Sequence, residues 1–180
     1  MPKIIKDLKP QIKEEAIKMF EDIGYEAVTM RSLSSHVGIA VGTLYNYFPN
    51  KEVLYTEILY ESWLATFNGI KEILYPPYTD IMIKKTIIKL YDDVVMRKGL
   101  GKYIFTIHQG KITGDIKLRE LFESMFALIE KVMIDLEYAF PKRKAMMLLV
   151  DISKVIAMFP DEREENIAYL IHIIKETSHE

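Results

Sequence analysis

Thr29-Met-Arg-Ser-Leu-Ser-Ser-His-Val-Gly-Ile-Ala-Val-Gly-Thr-Leu-Tyr-Asn-Tyr-Phe-Pro-Asn-Lys51 is the stretch that decides the fold. Thr29 is a natural N-cap for a short helix whose inward residues, Leu33 and Val37, lie one turn apart, and Gly38 supplies the left-handed residue that closes it. A second short helix follows from about Ala40 to Phe48. On its wheel Leu44 and Phe48 share one side, Gly42, Thr43 and Asn46 fall opposite, and the rings of Tyr45 and Tyr47 sit on the flanks. Pro49 disfavours the α conformation for Phe48, and Asn50 caps a new helix that starts at Lys51. Two short helices joined by a glycine turn, the second with one packing side and one free side, have the layout of a helix-turn-helix reader. Double-stranded DNA is therefore the first partner to test.

Working outward, helical periodicity dominates the chain, and no run of strict polar and apolar alternation is bounded by hairpin turns. The expected fold is all-α. A helix from about Pro10 presents Ile12, Ala16, Met19, Phe20 and Ile23 on one face before Gly24 ends it. A long helix runs from Lys51 toward Leu74 and stops before Pro76-Pro77, and Thr79 or Asp80 caps a fifth that is halted near Gly99 to Gly101. A shorter apolar segment, Tyr103 to Gln109, leads to a turn at Gly110 to Gly114. From Asp115 the series Leu118, Leu121, Phe122, Met125, Leu128, Ile129, Val132 and Leu136 marks the cleanest amphipathic helix. Two more helices are expected, from about Pro141 to Phe159 and from Asp161 to about Thr177, the last opening on acids that suit a helix N-terminus. Their apolar content exceeds one buried stripe each, so an unpaired face is expected to form a homodimer through about residues 141–177.

Composition narrows the function classes. The chain has 180 residues, 49% of them hydrophobic and 28% charged, which is an ordinary globular balance. Its length accommodates a small module over residues 1–50 and a larger domain over 51–180. The longest aliphatic run, Met146 to Val150, is far short of a membrane span, and the first residues lack a signal-peptide apolar region, so no membrane association and a cytoplasmic location are expected. With no cysteine there is no disulfide, thiolate metal site or thiol nucleophile. A formal charge of −2 is unhelpful for binding phosphates overall. Up to Lys51, however, Lys3, Lys6, Lys9, Lys13, Lys18, Arg31 and Lys51 slightly outnumber the acids Asp7, Glu14, Glu15, Glu21, Asp22 and Glu26.

Ile12, Ala16, Phe20, Gly24-Tyr25, Thr29, Leu33, Gly38-Ile39, Gly42-Thr-Leu-Tyr45, Tyr47-Phe48, Lys51-Glu52 and Leu54 together resemble the N-terminal domain of the TetR family of transcriptional regulators. The resemblance covers about the first third of the chain, and the remainder carries no motif. Three positions depart from the family's pattern. Ala40 stands where Ser or Thr usually caps the recognition helix, forgoing roughly 0.5–2 kcal/mol of cap stabilisation, and Ser34 and Val37 replace the usual alanines. Each recognition residue also has a physical role of its own. Gly42 lets the backbone approach the duplex, Thr43 and Asn46 reach base edges, and Tyr45 and Tyr47 offer hydroxyls to phosphates unless both rings are core. Lys51 adds a charge and backbone donors at the next helix start. The resemblance adds Thr29 and Arg31 as backbone contacts.

The resemblance further implies that the C-terminal helices form the dimer and enclose a pocket for a small molecule, whose binding changes the separation of the two DNA-reading heads. Trp63, Phe67, Tyr91, Met96, Tyr103, Phe105, His108, Met125, Phe126 and Met133 are candidate lining residues for an apolar effector, with core packing as the plainer alternative for each. An effector-released repressor is the leading reading. A DNA-binding regulator controlled by a protein partner, or an activator, is the second. An all-α enzyme using His108 with Asp92 or Asp93 is remote, because His36, His108, His172 and His179 are scattered and neither metal-ligand spacing nor a phosphate-binding glycine loop appears. No catalytic residue, metal or cofactor is expected.

Overall fold

The computed structural model describes residues 8–97, 100 and 116–175. Among them the chain forms eight helices and no strand: α1 (Leu8–Ile23), α2 (Met30–Val37), α3 (Val41–Tyr47), α4 (Lys51–Ile73), α5 (Asp80–Met96), α6 (Ile116–Asp135), α7 (Pro141–Met158) and α8 (Arg163–Lys175). The fold is all-α. The expected segment at Tyr103 to Gln109 and the turn at Gly110 to Gly114 lie outside the described residues.

Capping chemistry sets several helix ends, whereas Thr79, expected to cap α5, holds the N-cap position without a side-chain hydrogen bond. Gly24 takes φ 81 and donates its N–H to the Phe20 carbonyl at 3.1 Å, which stops α1. Asn50 Oδ1 accepts from the Val53 N–H at 2.8 Å and starts α4. The last helix begins at Arg163 rather than at Asp161. Phe159 and Pro160 spend the intervening residues on a turn in which the Glu162 N–H donates to the Phe159 carbonyl at 3.3 Å. Asn166, on the first turn of α8, then closes that corner: its amide donates to the Phe159 carbonyl at 2.7 Å and to the Tyr91 hydroxyl at 3.0 Å.

The larger body packs α4, α5, α6, α7 and α8 around one core. Trp63 and Ile70 of α4, Leu90 and Tyr91 of α5, Phe122 and Ile129 of α6, Ile152 of α7 and Leu170 of α8 are all buried. Burial of such aliphatic and aromatic side chains is the main favourable contribution to folding. Six of the eight residues expected along α6 are buried, and Leu128 and Leu136 are half-buried.

The small N-terminal head comprises α1, α2 and α3 and borrows the first turns of α4. Tyr55 of α4 meets Phe20 edge-on at 5.2 Å between ring centroids and lies 4.6 Å from Tyr25. Beside this aromatic contact, Lys9 pairs with Glu57 at 2.7 Å, and Lys13 pairs with Glu57 at 3.3 Å and with Glu61 at 2.6 Å. Lys9 and Lys13 are therefore staples between α1 and α4. Burial works to raise the Glu57 carboxyl, but hydrogen bonds and charge from Lys9 and Lys13 outweigh it and hold the group below its ordinary value of 4.5. A carboxylate lowered in the folded state stabilises fully above its unfolded pKa and loses that contribution as the pH falls through its folded pKa. Glu57→Gln is accordingly expected to cost about 0.5–1 kcal/mol at pH 7, with the deficit shrinking toward zero in denaturant melts below pH 3. An equal deficit at pH 7 and pH 3 would contradict the ion-pair assignment.

Candidate nucleic-acid interface

The head presents α3 through local chemistry that can be followed residue by residue. Thr29 caps α2 reciprocally: its Oγ1 accepts from the Ser32 N–H at 3.0 Å, and the Thr29 N–H donates to Ser32 Oγ at 3.0 Å. Gly38 adopts φ 77, and the N–H of Ile39 returns to the Ser34 carbonyl at 2.9 Å, so the chain turns sharply into α3. Ser34 is accommodated in a buried position because its hydroxyl donates to the Arg31 carbonyl at 2.9 Å. Ala40 is the N-cap of α3 and makes no side-chain bond to it. What holds α3 is therefore its packing side: Leu44 and Phe48 are both 0% exposed.

The opposite side faces outward. Gly42 and Asn46 are exposed and Thr43 is half-buried between them and the head. A Cβ added at Gly42 would meet nothing within 4 Å. No contact inside the chain explains that glycine. Tyr45 and Tyr47 are 48% and 41% exposed, which sets aside the reading of their rings as core. Val41 is also exposed, on the flank of Tyr45, and the sequence reading passed over it. Its signal was an apolar residue on an otherwise polar wheel face, and a thymine methyl is the base-edge group such a side chain suits. Arg31 stands exposed on α2, with no side-chain partner among the described residues.

Lys51, expected to add a charge and backbone donors at the start of α4, has its side chain engaged within the head. Its ammonium donates to the Tyr25 carbonyl at 2.8 Å and lies 4.2 Å from the centroid of the Tyr25 ring. The side chain thus closes the loop between α1 and α2, where carbonyls and a π face satisfy its charge. Lys18 is also engaged, with Glu14 at 3.1 Å and Glu15 at 2.8 Å, and Glu15 additionally meets His36 Nε2 at 3.0 Å. Little unpaired positive charge is left on the described head.

Of the candidate effector residues that the structure describes, all but Met96, which is 74% exposed, are packed rather than gathered around a space. Trp63, Tyr91, Met125 and Met133 are buried, and Phe67 and Phe126 are half-buried. Trp63 and Phe126 flank Phe122 at 4.9 and 6.0 Å between centroids. Tyr103, Phe105 and His108 lie outside the described residues. A cleft of about 440 Å³ opens elsewhere, where α1 meets α4 and α5. Ile17 of α1, Ile58 and Ser62 of α4, and Met96 and Arg97 at the end of α5 contribute to its lining. Among the sequence candidates only Met96 falls on it, because the cleft is made by three helices whose residues are far apart in the chain. No group of three or more His, Asp or Glu able to hold a metal occurs among the described residues. No described helix is long and apolar enough to cross a membrane.

Residues 12–58 match the model of the family described as bacterial regulatory proteins, tetR family. Over 52 residues the chain is 42% identical to the uncharacterized HTH-type transcriptional regulator YhgD of Bacillus subtilis (strain 168), a match spanning 29% of this chain and 27% of YhgD. Over 46 residues it is 41% identical to the HTH-type transcriptional repressor KstR of Rhodococcus jostii (strain RHA1), spanning 26% of this chain and 22% of KstR. The matched segment thus covers about a quarter of each curated relative's length. Among solved structures, a regulatory protein in the tetR family from Rhodococcus RHA1 superposes with a TM-score of 0.77 at 14% identity, over 94% of this chain and 97% of that one. FadR from Bacillus subtilis, in complex with stearoyl-CoA, gives 0.69 at 14% identity, over 95% of this chain and all of the other (100%). At such identities the likeness is one of fold.

Two substitutions probe the outward face of α3. Gly42→Ala fills open space in a helix, so it is expected to raise stability by about 0.5–1 kcal/mol while weakening duplex binding by about 1–3 kcal/mol. Thermal melts and binding titrations on the same sample read the two signs, and unchanged binding would remove Gly42 from the interface. Asn46→Ala is expected to relax base preference at one position by about 1–3 kcal/mol, measured by competition between single-base variants of a bound site.

Proposed function

We propose, from the match of residues 12–58 to the tetR family model, that the protein is a homodimeric, sequence-specific DNA-binding regulator of transcription. In this reading it is a repressor, released from a palindromic operator by a small, largely apolar effector. The observation that carries the DNA-binding part is the outward face of α3, where Gly42, Thr43 and Asn46 lie between two exposed tyrosines and the glycine has no internal packing reason. Thr43 and Asn46 read base edges, Tyr45 and Tyr47 hold phosphates on either side of the groove, and Thr29 and Arg31 approach the backbone from α2. Lys51 contributes by fixing the loop that aims α2, with the start of α4 supplying backbone donors.

Dimerisation is supported by apolar side chains left outside on the last two helices and the turn between them: Met146, Met147, Met158, Phe159 and Tyr169 are between 44% and 68% exposed. A twofold pairing of such a face is self-complementary and sets two heads against two half-sites about 34–36 Å apart. A ligand that favours a dimer with another head spacing weakens DNA binding by its differential affinity for the two states. The repressor sign is supported by the name of KstR, and an effector by the stearoyl-CoA complex of FadR. The function is regulatory, and no catalytic role falls to the protein.

Selection of bound duplexes from a random pool, followed by sequencing, is expected to return a palindrome, with log affinity falling linearly in log salt. Equal affinity for the selected site and a scrambled duplex would overturn sequence-specific binding. Met147→Glu is expected to shift sedimentation from dimer to monomer and to abolish tight binding to the full palindrome while preserving helicity. An unchanged dimer would move the interface away from α7.

A further inference from the structure

Arg97, the residue that follows α5, is 7% exposed and nevertheless incompletely satisfied. Its Nε donates to Ser62 Oγ at 2.8 Å and its Nη2 donates to the Ser62 carbonyl at 3.0 Å and to Thr66 Oγ1. The guanidinium lies 4.0 Å from the Trp63 ring centroid. Nη1 is buried with no hydrogen-bond partner among the described residues. All the acceptors that hold this cation are neutral oxygens. Burial pulls the group down to about 10 against the favourable charge of Asp93, which leaves it ionised at neutral pH.

Three carboxylates line the same cleft, Glu21, Glu61 and Asp93, and each is already engaged. Asp93 Oδ2 accepts from Lys89 at 3.0 Å and from Thr66 at 2.6 Å, and Glu61 holds Lys13 at 2.6 Å. Arg97 also lines the 440 Å³ cleft, a volume in the small-molecule range. Ile17, Ile58, Ala65 and Met96 supply apolar walls beside it. A desolvated guanidinium with one N–H group unmet is a costly arrangement for a protein to keep, and an anionic oxygen is the acceptor that relieves it most strongly.

We propose that this cleft binds a small amphipathic acid, with its carboxylate or phosphate monoester accepting from Arg97 Nη1 and its apolar body against Ile17, Ile58 and Met96. The head group and the walls come from three helices, one of them in the DNA-reading head, so the bound acid ties α1 to α4 and α5. That regulatory consequence rests on the ligand-released reading given above, whereas the binding chemistry stands on Arg97 itself.

Trp63 is the only tryptophan in the chain and sits against the guanidinium, so its emission reports on the site directly. The full-length protein is titrated with decanoate, decyl phosphate, decanol and decyltrimethylammonium, reading Trp63 emission and the thermal midpoint. At least one of the two acids is expected to bind saturably, and the alcohol and the cation about tenfold or more weakly. Arg97→Gln is expected to weaken the bound acid about 10- to 100-fold, with Arg97→Lys intermediate. Ala65→Phe leaves Arg97 in place and fills the cleft, so it is expected to abolish binding even where the Arg97→Gln protein fails to fold. Decanol binding as tightly as both acids would overturn the proposal, as would neither acid moving emission or midpoint, or full binding by Ala65→Phe. Preference between decanoate and decyl phosphate distinguishes the two head groups. Release of the selected operator is measured in parallel. Acid binding that depends on Arg97 without release refutes the effector reading and leaves the site standing, whereas release by an acid that Arg97→Gln still binds refutes the site alone.

Discussion

The ion-pair and aromatic clamp between α1 and α4 is the contact on which the arrangement of the molecule depends. Tyr55 between Phe20 and Tyr25, with Lys9 and Lys13 held by Glu57 and Glu61, makes the beginning of α4 part of the head. The same helix continues to Ile73 and places Trp63 and Ile70 in the core of the body. Because one rigid helix serves both parts, any rotation of the body is transmitted to the frame that holds α2 and α3. Packed interfaces of this kind repack as units rather than deform by degrees.

Seen from this clamp, the outward face of α3 is imposed from behind. The helix is seven residues long, has an uncapped start at Ala40 and contains a glycine, so it has little stability of its own. Leu44 and Phe48, both fully buried, fix its rotation about its axis. Once they are fixed, Gly42, Asn46 and the two tyrosines have nowhere to go but outward. The specificity of such a surface lies in placement, and placement here is a property of the core.

How far the amino-acid sequence foretold this depends on the range of the interaction concerned. Thr29, Gly24, Gly38, Asn50 and Pro49 act on residues within four positions of themselves, and the helix limits they mark are the observed ones to within a residue or two. The wheel of α3 was equally readable, since a buried pair one turn apart leaves only one other side. Lys51 was not readable, because its partners are carbonyls of Tyr25 and Glu26, across a loop. The cleft, of which only Met96 was among the candidates, was otherwise missed for the same reason. Aromatics and methionines such as Trp63, Tyr91, Met125 and Met133 attract attention in a sequence, yet at helical spacing they fill the core. A half-satisfied arginine becomes visible only when Ser62 and Thr66 are seen beside it.

The pairing of Lys9, Lys13 and Lys18 with carboxylates of α1 and α4 bears on how the protein searches for a target. Under the DNA-binding reading proposed above, ammonium groups already paired with carboxylates release few counterions from a duplex, so contacts from this described part of the head would add little to affinity for random sequence. Discrimination among sites would then rest on the outward face of α3 rather than on a basic surface.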